Sequence, residues 1–142
     1  MRIVFRYGRL VAAELSLPEG VRSTAQRVAV VRAVGESTGS FTVADLHERA
    51  RRLEPGLGLA TTYRTIELLR ASGGVHPLLG EGRPTYVRCR PEHHHHLVCT
   101  SCGGVEETEL CAAPSPAELQ RQHGFRPAAH ELDIYGTCRR CA

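Results

Sequence analysis

The sequence predicts an α+β chain in two parts. Three helices and a β-hairpin in winged-helix order come first, and a small αβ domain rich in cysteine and histidine follows. Three observations carry this. Helical periodicity runs as far as Gly73–Gly74 and then gives way to short strand-like runs. The charge changes sign: residues 1–91 hold 14 arginines against 8 acidic residues, and residues 92–142 hold 4 against 7. Such asymmetry marks two functional halves. Finally, four of the 6 cysteines form the pairs "CTSC" and "CRRC", both in the second part. The expected boundaries are an N-terminal extension at 1–20, a first domain at 21–90 and a second at 91–142.

Residues 1–20 close with the breaker "LPEG". In "RSTAQRVAVVRAVGES", Val28, Val31 and Val34, with Ala25 and Ala29, recur at helical spacing, and Ser23 or Thr24 can cap the start. The second helix is "TVADLHERARRL", with Thr42 as N-cap and Val43, Leu46, Ala50 and Leu53 on one face. The third is "LATTYRTIELLRASGG", with Leu59, Tyr63, Ile66, Leu68 and Leu69 on its apolar side. Two strands around "GEGRP" then make the hairpin. In helix-turn-helix relatives the last helix enters the major groove by its N-terminal residues. That end offers Thr61, Thr62, Tyr63 and Arg64. Arg64 suits guanine, and the hydroxyls suit phosphate or thymine. The competing reading places Tyr63 in the core and Arg64 on a solvated face. Beyond Cys89, "HHHHLVC", "GVEETEL" and "HELDIYG" are strand-like, and "PSPAELQRQHG" reads as a short helix.

Cys99, Cys102, Cys138 and Cys141 form a C-x₂-C…C-x₂-C set, the donor pattern of structural zinc. A redox Cys-x-x-C needs a βαβ context that is absent here. The run His93–His96 is internal, so it is no terminal tag. On a strand, alternate side chains face opposite ways. His93 and His95 then serve one site, and His94 and His96 another. Cys89 and His76 complete the second as a Cys-His₃ site that joins the two parts. His130 joins the first, with Glu118 or Cys111 as the open choice for a fourth donor. Cys111 otherwise reads as a plain thiol, and His47 and His123 as structural or solvated.

The motifs "GLATTYRTIELLRASGGV", "RCRPEHHHHLVCTSCG" and "HELDIYGTCRRC", in that order, resemble the ferric uptake regulator family over residues 21–142. Cys89 ahead of "HHHHLVC" makes the chain resemble most the zinc uptake regulators, since thiolate favours zinc over iron(II) or manganese. The resemblance implies a winged-helix DNA-binding domain, an αβ dimerisation domain and a homodimeric, metal-dependent transcriptional repressor. It implies structural Zn²⁺ on Cys99, Cys102, Cys138 and Cys141. It implies a sensing site including Cys89, His94 and His96, and an AT-rich inverted-repeat operator in double-stranded DNA. Tyr63 and Arg64 match the family's "YRT". The chain departs from the zinc type at His76, where an aspartate is usual. It departs again near Ala113–Pro114, where the family's additional site has a glutamate. Siblings sensing Fe²⁺, Mn²⁺ or peroxide are the nearest alternative.

No His-Glu-x-x-His motif or open zinc site marks an enzyme, and a storage module would not need the basic first part. No apolar run reaches the ~20 residues of a membrane helix, and the N-terminal stretch is too broken by Arg6 and Arg9 for a signal peptide. The expected location is cytoplasmic, with no membrane partner.

Overall fold

The computed structural model describes residues 15–79, 83–90 and 92–142. Most of the extension expected at 1–20 lies outside them. The chain divides into two compact units, with the change between residues 91 and 92. Among the described residues no helix is long and apolar enough to cross a membrane.

In the first unit, α1 (Ala25–Gly35), α2 (Val43–Leu53) and α3 (Leu59–Ser72) pack over a three-stranded antiparallel sheet. Its strands are β1 (Ser40–Thr42), β2 (Val75–Leu78) and β3 (Thr85–Arg88), in the order β1-β3-β2. Local chemistry sets the helix ends. The Thr24 side chain accepts the Arg27 N–H. Thr42 and Asp45 form a reciprocal capping box, Asp45 N–H to Thr42 Oγ1 at 3.1 Å and Thr42 N–H to Asp45 Oδ2 at 3.0 Å. The Thr42 hydroxyl, donating to Asp45 Oδ2 at 2.7 Å, and then the Thr42 N–H hold the Asp45 carboxyl below the usual range. Gly73 ends α3 at φ 90°, a left-handed conformation that costs any other side chain strain. Ala29, Val30, Ala33, Val34, Leu46, Ile66, Leu69 and Val75 make the aliphatic core.

Two sequence expectations need correction, and a third strand joins the two expected. The buried stripe of α1 runs through Ala29, Val30, Ala33 and Val34, while Val28 is 48% exposed. Every residue from Val28 to Val31 is apolar, so spacing alone cannot choose the face. On α3, Thr62 and Thr65 are buried with Ile66 and Leu69, and Leu59 and Tyr63 face outward. Both threonines satisfy their hydroxyls locally, Thr65 Oγ1 donating to Thr61 O at 2.7 Å. Strand β1 has too few residues to show alternation and is visible only by its pairing, Phe41 opposite Tyr86.

The second unit is a sheet of β4 (His95–Cys99), β5 (Val105–Thr108) and β6 (Asp133–Gly136), in the order β5-β4-β6, with α4 (Pro116–His123). Strand β4 is central, antiparallel to β5 and parallel to β6. Ser115 caps α4 with Pro116 at its first turn, and Gly124 closes it. None of the residues of α4 is buried.

Candidate metal centres

The parallel register of β4 and β6 places Cys99 opposite Gly136, so Cys138 and Cys141 arrive beside Cys99 and Cys102. Each Cys-x-x-C is a tight turn. Gly103 N–H bonds Cys99 O at 2.9 Å, with Gly103 at φ 70°, and Cys141 N–H bonds Cys138 O at 2.9 Å. All four sulfurs lie within 4.8 Å of one another. The Cys102–Cys138 separation is 3.8 Å. The edge of a tetrahedron of sulfurs at zinc–thiolate distance is ~3.8 Å. None of the six cysteines is in a disulfide.

The electrostatics fit a cation. Backbone N–H groups, that of Cys138 first, pull the Cys99 thiol down to about 6. The bonds Cys141 makes to Cys138 and Cys102 push its thiol up to about 12. One member ionises readily and another resists. Neighbouring thiolates cannot all form without a positive charge among them. A dication supplies that charge, so the donors fit structural zinc.

The four histidines divide as alternation requires. His93 and His95 pack edge to face with ring centroids 4.6 Å apart, and His130 lies 4.8 Å from His93 and 5.1 Å from His95. Burial first, and then repulsion from His93, keeps the His95 and His130 rings below the usual histidine range, which favours the neutral ligand form. Cys111 joins them: its sulfur is 3.3 Å from His130 Nε2. Glu118, expected there from sequence, is elsewhere. It lies in the first turn of α4, where its N–H donates to Ser115 Oγ at 3.2 Å and its carboxylate accepts from the same hydroxyl at 3.5 Å. Helix capping has claimed it.

His94 and His96 turn the other way, with ring centroids 5.0 Å apart. His94 Nδ1 is 2.7 Å from Glu92 O, and His96 Nδ1 is 3.0 Å from Asp133 Oδ1. Both rings thereby commit Nδ1 as donor and present Nε2 as lone pair. Sequence reading missed Asp133. Its signal was the parallel register that sets it opposite His96, which strand patterns alone do not reveal. In the first unit, His76 on β2 and Cys89 just beyond β3 are both buried. Cys89 N–H bonds Gly74 O at 3.0 Å, one residue before β2 begins.

On α3, Tyr63 is 52% exposed and Arg64 is exposed beside it. Thr61 is half-buried. Thr62 is fully buried, its hydroxyl 2.8 Å from His47 Nδ1 on α2. So Thr62 faces the helix behind it, away from solvent. The leftover His47 thus ties α2 to the start of α3.

The profile of the Ferric uptake regulator family matches residues 18–135. The chain belongs to the ferric uptake regulator family. Among its relatives, the zinc uptake regulation protein of Mycobacterium tuberculosis (strain CDC 1551 / Oshkosh) is 40% identical over 128 residues, 86% of this chain and 95% of that protein. The ferric uptake regulation protein of Bacillus subtilis (strain 168) is 37% identical over 124 residues, 83% of each chain. A solved zinc-bound manganese uptake regulator superposes with a TM-score of 0.57 at 30% identity, covering 84% of this chain and 92% of that one. The Vibrio cholerae ferric uptake regulator shares the fold at a TM-score of 0.64 and 24% identity, covering 84% and 93%. Regulators named for the uptake of zinc, iron and manganese are therefore all similar to this chain.

Proposed function

We propose that the chain is a zinc-sensing transcriptional repressor of metal-uptake genes that binds operator DNA as a homodimer in the cytoplasm. The first unit is the DNA-binding domain and the second the dimerisation domain. The reading rests above all on the division of the four histidines: His94 and His96 present two Nε2 atoms with their Nδ1 atoms committed. Similarity to a protein named for zinc uptake regulation supports the choice of metal.

Cys99, Cys102, Cys138 and Cys141 hold structural Zn²⁺. The sensing donors are His76 and Cys89 from the first unit and His94 and His96 from the second. His93, His95 and His130 form a third metal position. A bound dication supplies a fixed tetrahedral link among its donors. Binding of the sensed ion favours the DNA-competent arrangement. The two α3 helices of a dimer then match successive major grooves, ~34–36 Å apart. Tyr63 and Arg64 read the DNA with Thr61. Buried Thr62, held by His47, sets the angle at which that end is presented. The operator is an AT-rich inverted repeat, its symmetry that of the dimer.

The names of the iron and manganese relatives favour one other reading, a sibling that responds to Fe²⁺ or Mn²⁺ at the same donors. Operator binding by fluorescence anisotropy decides between them. Protein retaining its structural zinc is titrated with buffered Zn²⁺, Mn²⁺ and anaerobic Fe²⁺. Binding switched on by Zn²⁺ alone is the expected result. A response to Mn²⁺ or Fe²⁺ without Zn²⁺ keeps the DNA role and discards Cys89 as the metal selector.

A further inference from the structure

We propose that Cys111 is the fourth donor of a closed three-histidine, one-thiolate metal site with His93, His95 and His130, and that this site takes zinc or another thiophilic divalent cation. It rests on the reading of those three histidines as a metal position and adds the donor that fixes the site's chemistry.

Geometry carries the argument. The four ligand atoms lie within 4.8 Å of one another. His130 Nε2 is 3.3 Å from Cys111 Sγ and 3.3 Å from His95 Nε2. In a zinc tetrahedron, nitrogen–nitrogen and nitrogen–sulfur edges are ~3.3 to 3.6 Å. As a hydrogen bond between two ring nitrogens, 3.3 Å is long. Moreover, one Nε2 offers either a proton or a lone pair, so it cannot donate to one neighbour while accepting from the other. A cation at the centre satisfies every member at once.

The elements deliver these donors from three directions. His95 is on the central strand and buried, forming the base. His130 comes from the segment before β6, and Cys111 from the stretch between β5 and α4. Cys111 is exposed, so the thiolate closes the site on its solvent side and an ion enters there. A carboxylate in that place would bring the same charge. Sulfur differs in softness, and it turns the preference away from manganese and iron(II). Glu118 is occupied at the cap of α4 and adds nothing.

The test is anaerobic Co²⁺ titration of the full chain carrying Cys89→Ser, with its structural zinc retained. In that background Cys111 is the one thiol outside the four-cysteine set. One equivalent of cobalt should give a near-ultraviolet sulfur-to-cobalt band. Adding Cys111→Ser should abolish that band, and adding Glu118→Gln should leave it intact. Zinc content and circular dichroism should be unchanged in both, since Cys111 and Glu118 are exposed. A band that persists in Cys111→Ser, or cobalt binding that never shows one, overturns the thiolate assignment. Adding His130→Ala tests the underlying position: it should lose the sulfur-to-cobalt band. A band of undiminished intensity in that variant overturns the position itself and this proposal with it. Neither result touches the DNA-binding reading, which operator anisotropy tests separately.

Discussion

Cys89 and Asp133 stand one step apart in their relation to the sensed metal. Cys89 is read as a donor, so Cys89→Ser should raise the Zn²⁺ needed for operator binding while leaving the four-cysteine zinc in place. Loss of that zinc, or of folding, would make Cys89 structural instead. Asp133 grips His96 at Nδ1 from a site largely shielded from water. Carboxylate partners of this kind set the tautomer and the basicity of a ligand. Asp133→Asn should therefore weaken Zn²⁺ affinity by roughly 10–100-fold, measured by competition with a chelating dye, with no change in the four-cysteine zinc. Unchanged affinity would show that His96 needs no such support. Side-chain chemistry explains which of these residues were legible in the sequence. Cysteine and histidine in tight spacing have few uses besides metal, so the four knuckle cysteines and the alternating histidines could be read directly. Asp133 and Cys111 have many uses. Only the fold singles out Asp133, through strand register, and only the fold chooses Cys111 over Glu118, through a long connection that returns to His130.

Elements were legible where the chain carries its own start and stop signals. Helix α2 shows this: Thr42 and Asp45 form its capping box, and Leu46 and Ala50 give its buried face. Thr42→Ala should cost about 1 kcal/mol in the stability of the first unit, read from urea unfolding. A change near zero would mean that packing of Leu46 alone holds that end. Lower pH attacks the same cap. The Asp45 carboxyl is held below its usual range in the folded unit. Its contribution is therefore present above the unfolded carboxylate pKa and is lost as pH falls through the lowered folded value. Helix α3 was legible as a helix but not in its orientation. Thr62 and Thr65 pass for a polar face by composition, yet their hydroxyls bond locally and their stripe goes inward. That rotation is what turns Tyr63 and Arg64 outward. Arg64→Ala should then weaken operator binding and reduce discrimination at one base position, by about 1–3 kcal/mol if it reads a guanine. An equal loss on all sequences would make Arg64 a phosphate contact.

At the scale of the molecule, the proposal is that one sensed ion reports to DNA. The charge asymmetry fits this division of labour, with the arginine excess in the unit that carries α3 and the metal donors concentrated in the other. An effector can favour the DNA-competent arrangement only by binding it better than the alternatives. The same free energy must then appear from the other side: if zinc tightens operator binding, operator must tighten zinc binding by an equal factor. Typical couplings of ~1–3 kcal/mol correspond to roughly 5–150-fold. Zinc affinity of the sensing site should therefore rise by the same factor that zinc adds to operator affinity, when both are measured in one buffer. Salt must be held fixed, because arginine–phosphate contacts make DNA affinity fall steeply with ionic strength. The comparison concerns exchangeable metal alone, because the zinc assigned to the four cysteines is retained throughout and contributes to neither change. Cys89→Ser should abolish both halves of the coupling together. If operator leaves zinc affinity unchanged while zinc still promotes DNA binding, the two measurements concern different sites, and the sensing donors must be sought among His93, His95, Cys111 and His130.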